Sequence, residues 1–188
     1  MEISKFDIDG VFKIDLEPKN DSRGYFMRTF DSKIFKSLGV DHVWVQENQS
    51  LTRVKHTIRG LHFQFPPFSE TKLIRVLTGK ILDVFADCRS KSKTFGRFGQ
   101  VILDEDAPAC LLLPKGIAHG FCSLTDNVLL SYKVDAPYSP SHDAGIRWND
   151  PDLKIDWMIE KPIEISDKDA NLPLFKDQTS LFEKLEFL

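Results

Sequence analysis

Two histidines occupy short stretches far apart in the chain, Arg59-Gly60-Leu61-His62-Phe63-Gln64 and Pro114-Lys115-Gly116-Ile117-Ala118-His119-Gly120-Phe121. A third stretch, Leu130-Ser131-Tyr132-Lys133, presents a phenol in the same β-type alternation. Neutral imidazole and phenol both take and give protons without a cofactor, so the three together point to proton transfer on a bound small molecule. In a strand, alternate residues share a face, which puts His62 and Gln64 on one side and Leu61 and Phe63 on the other. Pro114 and Gly116 set a turn that delivers His119 at a strand start. Taken singly, each residue has a plainer reading: His62 as an exposed strand residue, His119 as a core histidine bonded to backbone carbonyls, Tyr132 as a half-buried strand tyrosine. The imidazoles also suit zinc, iron or nickel, although no His-x-His and no nearby carboxylate completes a ligand set around His62.

The elements that must hold these side chains read as β. From about Val11 to Val134 the chain consists of short runs of Val, Ile, Leu and Phe broken by Gly, Pro and Asp, the texture of an all-β sandwich or barrel. Leu73 to Leu77, the turn Thr78-Gly79, and Ile81 to Ala86 predict a hairpin of two adjacent strands. Asp31 to Leu38 predicts a short surface helix, with Asp31 as N-cap, Ile34, Phe35 and Leu38 on one face, and Gly39 as the stop. After Trp157 the sequence turns charged and polar, with a second helix expected where Leu181, Phe182, Leu185 and Leu188 fall at helical spacing. Residues 158–188 are thus expected to be a tail packed on the domain or on a partner subunit.

A chain of 188 residues with 41% hydrophobic content suits one domain over residues 1–188. The formal charge of −3 and pI near 6.0 give no general attraction to nucleic acid or an anionic membrane, so an anionic ligand must be met by a local basic cluster. No apolar run reaches membrane-spanning length, and Met1 to Lys5 lack the features of a signal peptide. Cys88, Cys110 and Cys122 are odd in number and set in apolar sequence, which reads as free buried thiols and a cytoplasmic protein.

Asp21-Ser22-Arg23-Gly24-Tyr25-Phe26, Gln46 to Ser50, Arg59 to Gln64, Lys72 to Val76, Asp83 to Arg89, Thr94-Phe95-Gly96, Pro114 to Phe121, Tyr132-Lys133 and Trp148-Asn149-Asp150-Pro151 follow one another in order. Through them the chain, from about residue 5 to 175, resembles the dTDP-4-dehydrorhamnose 3,5-epimerase family of the cupin superfamily. The resemblance implies an all-β fold, a double-stranded β-helix or cupin jelly roll, without metal or other cofactor and homodimeric. It also implies a nucleotide-diphosphate sugar as ligand and epimerisation of a 4-keto-6-deoxyhexose. There the C3 and C5 hydrogens are α to the C4 ketone, so a base can remove one and an acid on the opposite face can return a proton with inverted configuration.

By the same resemblance His62 is the base and Asp169 its partner carboxylate, with Asp167 as the fallback. Tyr132 is the acid, and Lys72 lies near the C4 oxygen where its charge would stabilise an enolate. Arg23, Arg59 and His119 match the diphosphate contacts, Gln46 and Asn48 add hydrogen bonds, and Tyr138 matches an aromatic near the sugar. Phe26 matches a residue that meets the base.

Two positions depart from the pattern. The family usually has Glu two residues after that Phe, where this chain has Arg28. Glu accepts from thymine N3–H, whereas Arg only donates, so Arg28 suits the acceptors of cytosine and a CDP-sugar better than dTDP, with GDP left open. Glu70-Thr71 replaces the Gln-Gly common before the lysine and alters the pocket rim beside Lys72. The rival readings are a metal-dependent cupin isomerase or oxygenase using His62 and His119, and a non-catalytic nucleotide-sugar-binding cupin.

Overall fold

The computed structural model describes residues 1–41 and 43–185. The first strands are β1 (Glu2–Lys5), β2 (Phe12–Asp15), β3 (Lys19–Asp21) and β4 (Gly24–Phe26), followed by helix α1 (Ser32–Ser37). The β-rich centre then gives β5 (Gln46–Thr52), β6 (Thr57–Gln64), β7 (Lys72–Thr78), β8 (Lys80–Asp87) and β9 (Phe98–Asp104). It continues with β10 (Ala109–Leu113), β11 (Ile117–Ser123), β12 (Val128–Val134) and β13 (Asp143–Gly145). The tail contributes β14 (Glu164–Ile165), α2 (Asp167–Ala170) and α3 (Thr179–Phe182), with 3-10 turns on both sides of α3.

Two sheets face each other. One runs β1-β2-β10-β7-β12-β5 and the other β13-β6-β11-β8-β9, with β14 added in parallel to β6. Alternation along the strands sends Ile74 and Val76 of β7, Leu111 of β10 and Leu130 of β12 to meet Ile81 and Phe85 of β8 in one buried layer. The other face of β8 is buried as well, because Leu82, Val84 and Ala86 pack under Trp157 and under Phe182 and Leu185 of the tail. The tail therefore covers the second sheet of its own chain, with the Phe182 ring 6.1 Å from that of Phe63. The expected longer helix is only a single turn at Thr179–Phe182, and Leu188 lies outside the described residues. On the first sheet, α1 places Phe35 against Ile14, Leu73 and Leu112. Its Asp31 cap accepts from the Lys33 amide at 3.0 Å, and Gly39 leaves the helix with φ +81°, as the residue types predict.

The expected hairpin between β7 and β8 does not form. The chain turns at Gly79 (φ +83°), but β7 pairs with β10 and β12 while β8 pairs with β9 and β11. A tight turn between apolar strands looks alike in sequence whether it joins neighbours or carries the chain from one sheet to the other. Here β7 takes β10 and β12, both distant in sequence, on its two edges, and β8 takes the next strand β9 on one edge and β11 on the other, which gives the crossed connections of a double-stranded β-helix. Among the described residues no helix is long and apolar enough to cross a membrane. Cys88, Cys110 and Cys122 are buried and free, and burial pushes the Cys110 thiol up to about 12 and the Cys122 thiol up to about 11.

Candidate active site

A cavity of about 630 Å³ is lined from both sheets, with Asn48, Lys72 and Tyr132 from the first and Arg59, His62 and His119 from the second. Strand alternation explains His62 and Gln64, which line the cavity while Leu61 and Phe63 enter the core beneath the tail. Arg59 needs more than alternation, since it stands three residues before His62 and would face the other way in a regular strand. The pairing of β6 with β11 slips between His119↔His62 and Phe121↔Arg59, so β6 carries one extra residue. Gly60 sits in this bulge with φ +98°, and a Cβ there would come within 2.5 Å of the His119 carbonyl oxygen. The bulge turns Arg59 and His62 to the same side.

His62 Nε2 lies 2.8 Å from Asp169 Oδ1. The other oxygen, Oδ2, accepts from the Gly60 amide at 3.0 Å. Asp169 belongs to α2, whose N-cap Ser166 accepts from the Asp169 amide, so a helix cap sets the carboxylate's position. Burial works against its ionisation, but the bonds from His62 and Gly60 outweigh it and hold the carboxyl below the ordinary range. A carboxylate only accepts, so Nε2 carries the hydrogen of this contact. Asp169 is thus the residue on His62.

His119 stands directly across from His62 on β11 and repeats the arrangement, with Nε2 2.9 Å from Oδ2 of the fully buried Asp83. Oδ1 of Asp83 has no hydrogen-bond partner among the described residues. Burial pushes this carboxyl up, with His119 opposing. Each Nε2 is engaged by a separate carboxylate. Among the described residues no group of three or more His, Cys, Asp or Glu side chains is placed to hold a metal.

On the first sheet Tyr132 pairs with Asn48 of β5 and Ile74 of β7. Burial raises its phenol above the ordinary value, the Glu70 carboxylate adds to this, and Arg59 opposes it. Lys72 is 7% exposed and its Nζ is 2.6 Å from Glu70 Oε1. Arg59 donates through Nε to Thr52 Oγ1 at 3.0 Å and through Nη2 to the Leu51 carbonyl. Gln46 accepts from the Tyr138 amide at 2.6 Å, and the Tyr138 hydroxyl donates to Asp143 Oδ2 at 3.2 Å.

Arg23, Phe26 and Arg28 do not line this cavity. They lie on or just beyond the exposed β3–β4 hairpin, where Arg23 is paired to Asp21 and Arg28 to Asp31. The lining also includes Gln64, Asp143 and Lys168, which have no place in the expected site, and Glu70, which the departure from the family pattern puts beside Lys72. Gln64 could have been found from its alternation with His62, and Glu70 from its position two before Lys72. Lys168 and Asp143, whose Nζ and Oδ2 are 2.5 Å apart, meet only through the tertiary fold.

Comparison with known proteins agrees with this architecture. The family model described as dTDP-4-dehydrorhamnose 3,5-epimerase matches residues 5–177. A protein of that name from Methanothermobacter thermautotrophicus is 41% identical over 169 residues, covering 89% of this chain and 90% of its own. The crystal structure of the Bacillus anthracis enzyme with TDP and PPi bound superposes with a TM-score of 0.88 at 43% identity, covering 92% of this chain and 98% of that one. The Legionella pneumophila enzyme in complex with dTDP-4-keto-L-rhamnose also gives 0.88, at 35% identity and 93% of each chain. With matches of this length and identity, this chain is an isomerase that belongs to the dTDP-4-dehydrorhamnose 3,5-epimerase family.

Proposed function

We propose that this chain epimerises a nucleotide-diphosphate-linked 4-keto-6-deoxyhexose at C5, with C3 as the second carbon open to the same chemistry, and needs no cofactor to do so. The observation that carries the reading is that His62 and Tyr132 enter one cavity from different sheets. Inversion requires removal of a proton on one face of the sugar and its return on the other, and an imidazole and a phenol on facing walls meet that requirement. His62 Nδ1 takes the proton α to the ketone, and the C–H electron pair moves into the C4 oxygen as an enolate. Asp169 holds the resulting imidazolium. The Lys72 ammonium lies where it can face the C4 oxygen and stabilise the charge that develops there. Tyr132 then gives its proton to the carbon from the opposite side; no electrons leave the substrate.

Arg59 supplies positive charge and donors for the diphosphate, with His119, Gln46 and Asn48 beside it. The hairpin bearing Arg23, Phe26 and Arg28 lies outside this cavity, and a homodimer in which one copy's hairpin reaches the other's cavity accounts for both. Arg28 there favours a CDP-sugar, while the solved relatives carry TDP and a dTDP-sugar. Three free thiols suit the reducing cytoplasm.

Proton NMR in D2O with CDP- and dTDP-linked 4-keto-6-deoxyhexoses tests the reading. Deuterium at C5 is the expected result, and the faster nucleotide identifies the base that is recognised. Absence of exchange with both substrates would overturn the epimerase reading, and metal analysis of the purified protein would then test the metal-dependent alternative.

A further inference from the structure

Glu70 lines the cavity, yet the proton-transfer scheme gives it no part. Its Oε1 is 2.6 Å from Lys72 Nζ, and the two side chains are only 12% and 9% exposed. Its Oε2 accepts from Gln64 Nε2 at 3.1 Å. Gln64 in turn accepts from the Ser139 amide at 2.6 Å and reaches the Pro137 carbonyl at 3.2 Å, on either side of Tyr138. One carboxylate therefore touches the first sheet through Lys72, the second through Gln64, and the segment bearing Tyr138 through that same amide.

A buried ion pair is a weak source of stability, because desolvation offsets the attraction. A carboxylate against an ammonium that must meet a developing oxyanion also dilutes the ammonium's field. What it supplies is place: a lysine has a long flexible stem, and a fixed counter-ion removes that freedom before substrate arrives.

We propose that Glu70 is a positioning residue for the epimerisation, holding the Lys72 ammonium at one point of the cavity wall and tying that wall, through Gln64, to the segment bearing Tyr138. This rests on the epimerase reading above. The carboxylate also acts on the acid of the reaction. The cavity that Tyr132 lines also receives Lys72 from β7, Arg59 and His62 from β6, and His119 from β11. Asp143 is engaged by Lys168 and Asp169 by His62, and the charges that bear on Tyr132 are Glu70, which favours the protonated phenol, and Arg59, which opposes it.

The test is the pH dependence of kcat and KM for C5 epimerisation by wild type, Glu70→Gln and Glu70→Asp, with thermal melting as a check on folding. Glu70→Gln keeps the shape but loses the charge, so kcat falls about tenfold while KM stays within about twofold, the signature of misplaced transition-state stabilisation. Removing the negative charge makes the phenol easier to ionise, so the alkaline limb moves to lower pH while the acid limb stays. Glu70→Asp keeps the charge and shortens the reach, so it retains the wild-type alkaline limb with part of the kcat loss. A Gln variant with wild-type kcat, KM and limbs overturns the role, as does an Asp variant whose alkaline limb matches that of Gln. Wild-type protein without C5 exchange overturns the epimerase reading and the role of Glu70 with it, a result that no Glu70 variant can mimic.

Discussion

His62 and His119 lie directly opposite each other on neighbouring strands, and each binds a different buried carboxylate through Nε2. The likeness stops at the carboxylates. Asp169 has a second donor in the Gly60 amide and is held below its ordinary value, whereas Asp83 leaves one oxygen without a partner among the described residues and is pushed above it. Asp169 thus stays ionised beside His62 and fixes the Nε2–H tautomer, the arrangement a base requires.

Replacing His62 by Ala should lower exchange at every epimerised carbon by about 10²- to 10⁴-fold, the usual weight of a positioned general base. Tyr132→Phe should separate two steps that wild type couples: solvent deuterium still enters the substrate, while the inverted product falls by a similar factor. NMR of isotope content together with chromatographic separation of the epimers checks both. Wild-type product from the Phe variant would remove Tyr132 as the acid.

The two aspartates predict opposite pH signs for stability. The folded pKa of Asp169 is depressed, so its contribution is present above the ordinary carboxyl pKa and is lost as pH falls through the folded value. That of Asp83 is raised, so the native state holds the proton more tightly, and stability falls as pH rises from the ordinary value through the folded one. Melting temperatures across the acid range should show Asp83→Asn gaining on wild type as pH rises and Asp169→Asn losing ground to it. Parallel curves for the two variants would contradict the assignment.

Arg28→Glu should shift preference toward dTDP-linked over CDP-linked substrate, because the new carboxylate accepts from thymine N3–H and the guanidinium no longer donates to cytosine. Competition between the two nucleotide sugars measures this ratio directly. An unchanged ratio would mean that Arg28 does not meet the base.

Phe182 is 1% exposed and packs with Phe63, Phe95 and Phe175 over the second sheet. Truncation to Ala should cost about 3–5 kcal/mol, the range for an aromatic removed from a close-packed core. Urea unfolding measures it, and a loss well below that range would show that the tail contributes little to the sheet beneath it.

Much of the site was legible from residue types. His62 shares its face with Gln64 by alternation, Asp31 caps α1, and the ordered motifs from Arg23 to Trp148 carry the family resemblance. Local chemistry accounts for the first two, since strand periodicity and capping depend on neighbours within a few residues. Glu70 was visible only as a departure before Lys72, because its bond to Gln64 joins two sheets.

Residue types and their spacing were enough for the all-β class, the short helix and the side chains able to move a proton. Only in the folded chain do β7 and β8 part into different sheets, and only there does a bulge at Gly60 turn Arg59 toward the same cavity as His62. The fold also decides that Asp169, 107 residues away in the chain, is the carboxylate on His62. Strand partners and bulges depend on long-range backbone pairing and packing, which no local pattern of residue types encodes.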